Sequence, residues 1–336
     1  VLGEDAVLFS AYYNITAAGN WEHGNSILLR NETDVAVAEA FKITVEELKS
    51  KIDAAKVKLM QVRNSRIKPG LDDKILSSWN ALMITGYAKA YRVFGEEAFL
   101  NAAVTNANFL LKKAIAADGE MTRNYKNGRS SINALLDDYA FTIAAFIELY
   151  QATFDEKWLT EANKITSYTL EHFFDASSGM FFYTHNQYAD LIARKMELSD
   201  NVIPSSNSEM AKNLFLLGHF LNKDEYISKA KQMLINVEDD VQRNIYFYAN
   251  WGMLQALFTS PLYEVAIMGD DFKNRRQQFD EHYLPTVILL GANAASKLAL
   301  LEDKLVQGQT MIYVCRDKTC ELPVGEVEEA LWQIGK

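Results

Sequence analysis

Two pairs of adjacent carboxylates, Asp72-Asp73 and Asp137-Asp138, are the groups in this chain best suited to proton chemistry. In glycoside cleavage one carboxylic acid protonates the leaving oxygen while a second carboxylate activates water or attacks the sugar, at separations near 5 Å or about 6.5–9.5 Å. Amides and aromatics accompany them at the starts of helical stretches: Trp79 and Asn80, Tyr139, Asn207 and Trp251. Aromatic faces pack on the apolar side of a pyranose while carboxylates and amides bind its hydroxyls. Arg123 and Tyr125, on a short extended turn, suit an anionic or hydroxyl-rich ligand. Epimerisation beside a carbonyl instead needs a base that titrates near neutrality, which histidine provides. Of the five histidines, His219 and His172 fall at helix ends, leaving His185 in a strand turn and His23 in a loop. The candidate catalytic residues are therefore Asp73, Asp138 and His185. The candidate binding residues are Trp79, Asn80, Arg123, Tyr139, Asn207 and Trp251.

Each of these has a plainer reading. Aspartates that precede helices cap free backbone N–H groups and complement the helix dipole. Tryptophans at helical spacing commonly pack in cores, a histidine is commonly a satisfied core or surface residue, and a loop arginine is commonly solvated. Both readings stand until the positions of the elements are known.

Those elements are legible from periodicity. The run from Ser77 through Trp79, Leu82, Met83 and Tyr87 to Tyr91 and Phe94 carries apolar residues three or four apart, an amphipathic helix. Gly95-Glu96-Glu97 turns it into a second helix reaching Leu111, and Asp118-Gly119 opens a short extended segment. The order returns from Asp137 to His185, and its helical part returns once more from Pro204-Ser205-Ser206-Asn207 to about Val237, a period of about 60–70 residues. Common helical solenoid repeats are shorter, about 34 to 47 residues. Hairpins with one apolar stripe per helix must bury it against their neighbours, stacking into a superhelix or closing into a ring, and the strand turns favour the ring. Further helical segments are expected over 35–62 and 245–258. Past Ser260-Pro261 the pattern changes to short β-branched runs at 263–269, 286–291 and 310–315 with helical stretches at 272–282 and 326–334. The expected organisation is a mainly α, toroid-like repeat of helix hairpins over 1–260 and a small α/β appendage over 261–336.

A formal net charge of −10 argues against a nucleic-acid partner. No apolar run reaches the roughly 18–20 residues of a membrane span, so no membrane contact is expected and a cytoplasmic location is read. The chain opens Val1-Leu2-Gly3, without a signal-peptide pattern, as a processed or truncated start would. The histidines and cysteines show no recognised ligand spacing, so neither metal nor cofactor is expected. Cys315 and Cys320 are too few for a disulfide framework and are read as reduced packing thiols, with a reversible disulfide as the other reading.

Four ordered motifs carry a family resemblance: Leu71-Asp72-Asp73-Lys74-Ile75-Leu76-Ser77-Ser78-Trp79-Asn80-Ala81-Leu82-Met83, Leu136-Asp137-Asp138-Tyr139-Ala140, Pro204-Ser205-Ser206-Asn207-Ser208 and Val314-Cys315-Arg316-Asp317-Lys318-Thr319-Cys320. Together with Gly19-Asn20-Trp21-Glu22 they resemble the C-terminal region of the thioredoxin-domain-containing family of the spermatogenesis-associated type. The resemblance implies a thioredoxin-like domain ahead of a helical toroid similar to six-hairpin glycosidases and N-acylglucosamine 2-epimerases. This chain lacks that domain and the first toroid helices, so the resemblance implies an incomplete ring. A sugar ligand, bound or processed in a reaction of glycosidase or epimerase type, is then the expected function, with the missing thioredoxin-like domain as a partner. The rival expectation is a noncatalytic scaffold whose concave face binds a protein.

Overall fold

The computed structural model describes residues 1–187 and 193–335. Its chain divides into two compact units, Val1–Asp72 and Asp73–Lys336. The first contains α1 (Asp5–Tyr12), α2 (Asp34–Phe41) and α3 (Val45–Ser65), packed on Leu8, Phe9, Val37, Leu48 and Ile52. The helical segment expected over 35–62 is two helices. Lys42 takes a left-handed conformation (φ 55°) that ends α2, and Thr44 starts α3 through a reciprocal capping box with Glu47.

The second unit begins with β1 (Ile75–Leu76) and three helix hairpins with short strands between them. The first hairpin is α4 (Ser77–Phe94) and α5 (Glu97–Lys113), followed by β2 (Asn124–Lys126) and β3 (Arg129–Ser130). The second is α6 (Leu136–Thr153) and α7 (Lys157–His172), followed by β4 (Phe174–Asp175) and β5 (Met180–Phe181). The third is α8 (Ser206–Phe220) and α9 (Asp224–Arg243), and a single helix, α10 (Ala249–Thr259), follows. Helix α4 packs on α6, α6 on α8 and α8 on α10, so alternate helices form an inner row. At its centre every residue of α6 except Glu148 and Thr153 is buried, because neighbouring helices cover it on all sides. Gly95 accepts the left-handed turn (φ 69°) that reverses the chain between α4 and α5.

The expected α/β appendage is present: β6 (Tyr263–Met268), α11 (Phe272–Asp280), β7 (Val287–Ala292), β8 (Met311–Arg316), β9 (Thr319–Cys320) and α12 (Val327–Ile334). The sheet order is β7-β6-β8-β9, with β6 and β7 parallel across the α11 crossover and the remaining pairs antiparallel. Val265, Ile267, Leu289 and Val314 face α11 and α12. Ala266, Met268, Ile288 and Leu290 belong to the same core as α4, α6 and α8. A sheet buried on both faces explains why its strands read as continuous apolar runs. Past α10 the elements change from helix hairpins to a mixed sheet, but compactness divides the chain at Asp72/Asp73, because the sheet shares the core of the helical repeat.

Gly291 marks how close that packing is. A Cβ there would lie 2.5 Å from two ring carbons of Phe154 and 2.6 Å from the Ile267 carbonyl oxygen. Gly291→Ala is expected to destabilise the unit by about 1–3 kcal/mol through overpacking, measured by urea unfolding. A change below about 0.5 kcal/mol would show that the sheet shifts freely on the helices.

Candidate functional site

At the N-terminal ends of the inner helices one ion cluster ties several elements together. Arg123 Nη1 donates to Asp137 Oδ1 and to Asp138 Oδ2, both at 3.0 Å. Asp138 Oδ1 accepts from the Ser78 backbone N–H at 2.9 Å, and its Oδ2 from the Leu135 N–H at 3.1 Å. The Arg123 carbonyl accepts from the Ser77 N–H at 2.8 Å. Asp138 is completely buried, and burial, then the neighbouring Asp137 charge, pushes its pKa up to about 6. Both of its oxygens are met by donors of the chain, so it acts as a brace between the first turns of α4 and α6.

Asp138 and Arg123 are the sequence-predicted residues that the structure joins. Tyr139 turns into the core, where its hydroxyl accepts from the Met121 N–H at 3.0 Å and its ring stacks on Tyr168. Asn207 holds β5 and the following chain: Oδ1 accepts from the Phe181 N–H at 2.8 Å, and Nδ2 donates to the Phe181 and Glu197 carbonyls. Trp251 is buried and donates to the Leu198 carbonyl at 2.8 Å. Asn80 donates to the Leu76 carbonyl and accepts from Asn106. His185 is buried with Nδ1 accepting from the Gln187 N–H at 3.0 Å and Nε2 3.1 Å from the Tyr168 hydroxyl, which places the proton of the neutral ring on Nε2. Burial, then the neighbouring His172, holds its pKa below the ordinary histidine value. Asp73 is solvent-facing and paired with Lys126, whose hydrogen bond holds its pKa down. Trp79 is 63% exposed.

A cavity of about 390 Å³ lies elsewhere, among α4, α6, α8, α10 and the appendage. Its polar lining includes Lys89 and Arg92 from α4, Glu148 and Gln151 from α6, and Glu209 and Lys212 from α8. Ions of opposite sign alternate around it. Glu148 lies 3.6 Å from Lys89 and 3.7 Å from Arg92, and Arg92 Nε lies 2.8 Å from Asp280. Asp280 also pairs with Arg276, which donates to the Tyr91 hydroxyl at 3.2 Å. Lys212 donates to Glu209 at 2.7 Å and to Asn250 at 3.1 Å. Behind these, Asp200 accepts from the Ser205 and Asn250 N–H groups and the Ser208 hydroxyl, each at 2.8 Å. Sequence reasoning passes over this group. Its one local signal is a charge inside an apolar helix: Glu148 interrupts the run from Tyr139 to Ala152, and Glu209 sits in the first turn of an almost wholly buried helix.

Among the described residues no group of three or more His, Cys, Asp or Glu could hold a metal ion. None of their helices is long and apolar enough to cross a membrane. The cysteines require a correction: Cys315 and Cys320, read as reduced thiols, are joined by a disulfide. They stand directly opposite each other on β8 and β9, a cross-strand register that a count of cysteines ignores.

Fold and cavity together define a mainly α, α/α toroid-like domain of helix hairpins with an α/β appendage, and between the inner helices and the appendage a cavity lined by both apolar and charged side chains. No protein-family profile matches the chain. Its sequence is similar to human spermatogenesis-associated protein 20, 26% identical over 347 residues that make up 94% of this chain and 44% of that protein. An uncharacterized protein of Caenorhabditis elegans is 27% identical over 349 residues, 95% of this chain and 47% of that one. The resemblance read from the four motifs is thereby borne out, and the chain spans less than half the length of these relatives. Among solved structures, a cellobiose 2-epimerase from Bacillus thermoamylovorans aligns with a TM-score of 0.41 at 15% identity, covering 48% of this chain and 43% of that one. A family 76 α-mannanase from Bacteroides thetaiotaomicron aligns with a TM-score of 0.44 at 15% identity, covering 69% and 66%.

The Asp138 brace predicts a pH signature. Its folded-state pKa of about 6 lies above the ordinary value of 3.8, so protonation favours the folded state. The contribution is fully present below about pH 4 and is lost as pH rises through about 6. Asp138→Asn should remove that slope from the stability–pH curve. At pH 7 it should also cost about 1–3 kcal/mol, because an amide NH₂ would face the Leu135 and Arg123 donors. An unchanged slope between pH 4 and 6 in the variant would assign the titration to another group.

Proposed function

We propose that this domain binds a neutral, hydroxyl-rich ligand of mono- or disaccharide size in the cavity among α4, α6, α8 and α10. The alternation of cations and carboxylates around that cavity carries the reading. Lys89, Arg92 and Lys212 stand against Glu148, Glu209 and Asp280, so the wall offers donors and acceptors with little net charge. A sugar ring, with hydroxyls that both donate and accept, matches such a wall, and Ile147, Leu216, Met253 and Leu257 supply apolar surface for its C–H face. The volume falls within the usual range for small-molecule sites, about 300–1,000 Å³.

Within this reading the chemical roles move away from the helix starts. Asp138 braces the fold, and Glu148 and Glu209 become the carboxylates for acid and base work of the glycosidase type. His282, which lines the cavity, is the imidazole suited to proton transfer of the epimerase type, in place of His185. A scaffold that holds a protein segment would call for a broad apolar groove, and ion-paired walls suit it less well.

Ligand-observed NMR against free and N-acetylated mono- and disaccharides tests the proposal. Saturation transfer from at least one sugar class is expected, weakened about tenfold or more in folded Glu148→Gln and Lys212→Met variants. Absence of transfer from every sugar, or transfer unchanged in both variants, would overturn it.

A further inference from the structure

The disulfide hairpin lies apart from the cavity and has an asymmetry of its own. Strands β8 and β9 are joined by a two-residue turn in which Asp317 and Lys318 both have positive φ (50° and 65°), as a type I′ turn requires. Lys318 anchors the turn to Asp224, at the start of α9, at 3.0 Å. Cys315 is 1% exposed and lies on the face of β8 that carries Tyr313 towards the helical repeat, whereas Cys320 is solvent-exposed. Lys304 Nζ donates to Cys315 Sγ at 3.7 Å and to the Leu300 carbonyl at 2.6 Å. Glu264 stands opposite Cys315 across β6 and β8, and its Oε1 lies 2.8 Å from His219 Nδ1. The two sulfurs thus differ in both access and electrostatics: one is open to attack, and the other is enclosed beside an ammonium group.

We propose that Cys315 and Cys320 form a thiol–disulfide exchange site that accepts electrons from a dithiol, with Cys320 as the attacked sulfur and Cys315 as the leaving thiolate. A thiolate of the dithiol forms a bond to Cys320 Sγ as the Cys315–Cys320 bond breaks, and Cys315 Sγ departs with the electron pair. Lys304 stabilises that buried anion, and a better-stabilised thiolate leaves faster. The second thiol of the reagent, as its thiolate, then attacks its own sulfur in the mixed disulfide and expels Cys320. Two electrons and two protons pass from the dithiol to the cystine, leaving Cys315 and Cys320 as thiols and the reagent as a disulfide. Attack in the other sense would require a reagent to reach a sulfur buried beneath the sheet and would leave the charge on the exposed cysteine, away from Lys304.

Reduced glutathione, whose first attack leaves a mixed disulfide that a short, acid-quenched exposure traps before a second thiolate removes it, tests the direction. The whole oxidised chain is treated with it, quenched in acid, alkylated and mapped by mass spectrometry after trypsin, which separates the cysteines by cutting at Arg316 and Lys318. Glutathione is expected on Cys320 and the alkyl label on Cys315. The rate should fall about tenfold in Lys304→Met and stay within about threefold in Lys304→Arg, which keeps the charge. Glutathione chiefly on Cys315, two free thiols in a chain pre-treated with oxidised glutathione, or equal rates in all three proteins would overturn the proposal. Because the mapping uses the unaltered chain, it decides the direction even if Lys304→Met does not fold.

Discussion

A carboxylate taken wholly out of water has to be met by donors on every side, and in this protein the donors that meet Asp138 come from three places. The Ser78 N–H belongs to α4, the Leu135 N–H to the N-terminus of α6, and the guanidinium of Arg123 to the turn between the hairpins. One buried charge therefore fixes the relative position of two inner helices and of the strand turn that separates them. The burial of α6 depends on this, since a helix covered on all sides tolerates little freedom at its ends. At the start of α8, Asn207 does comparable work with a neutral amide by bridging β5 and the Glu197 carbonyl. The helical repeat is held at that end by polar brackets and along its length by apolar packing.

At the opposite ends of α4 and α6 the appendage supplies the second set of restraints. Arg92 reaches Asp280, Gln151 Oε1 accepts from the Leu289 N–H, and Phe154 lies against Gly291. These contacts make the sheet a wall of the cavity. They also give Arg92 of α4 a buried carboxylate partner, Asp280, on the appendage. Fold stability and the shape of the cavity are consequently two results of the same contacts.

Much of the architecture is legible in the sequence because it is written locally. Ala81, Ile84, Ala88 and Tyr91 recur at helical spacing, Gly95 ends the helix, and the apolar runs of β6, β7 and β8 announce strands buried on both faces. The site is less legible because it is written across the chain. Asp137 and Asp138 stand at a helix start, where either capping or catalysis could be read. What decides between them is that the partners of Asp138 lie 60 and 15 residues away in sequence. Nothing in the spacing of Trp79 and Trp251 tells a solvent-facing ring from a core one. Glu148 escapes attention because its significance lies in the other helices that face it. The cysteines mislead for a related reason: their number suggests thiols, while the two-residue turn between Arg316 and Thr319 puts them face to face.

The tie between Arg92 and Asp280 spans 188 residues, and that between Gln151 and Leu289 spans 138. During synthesis the three hairpins leave the ribosome well before α11 and β7, so the hairpins exist for a time with ion-bearing inner ends still hydrated. Local helix pairing can proceed early, whereas the last wall of the cavity closes only when distant segments meet, the slow kind of contact in folding. The cavity is in this sense the last feature that folding can complete, because its walls come from segments far apart in the chain.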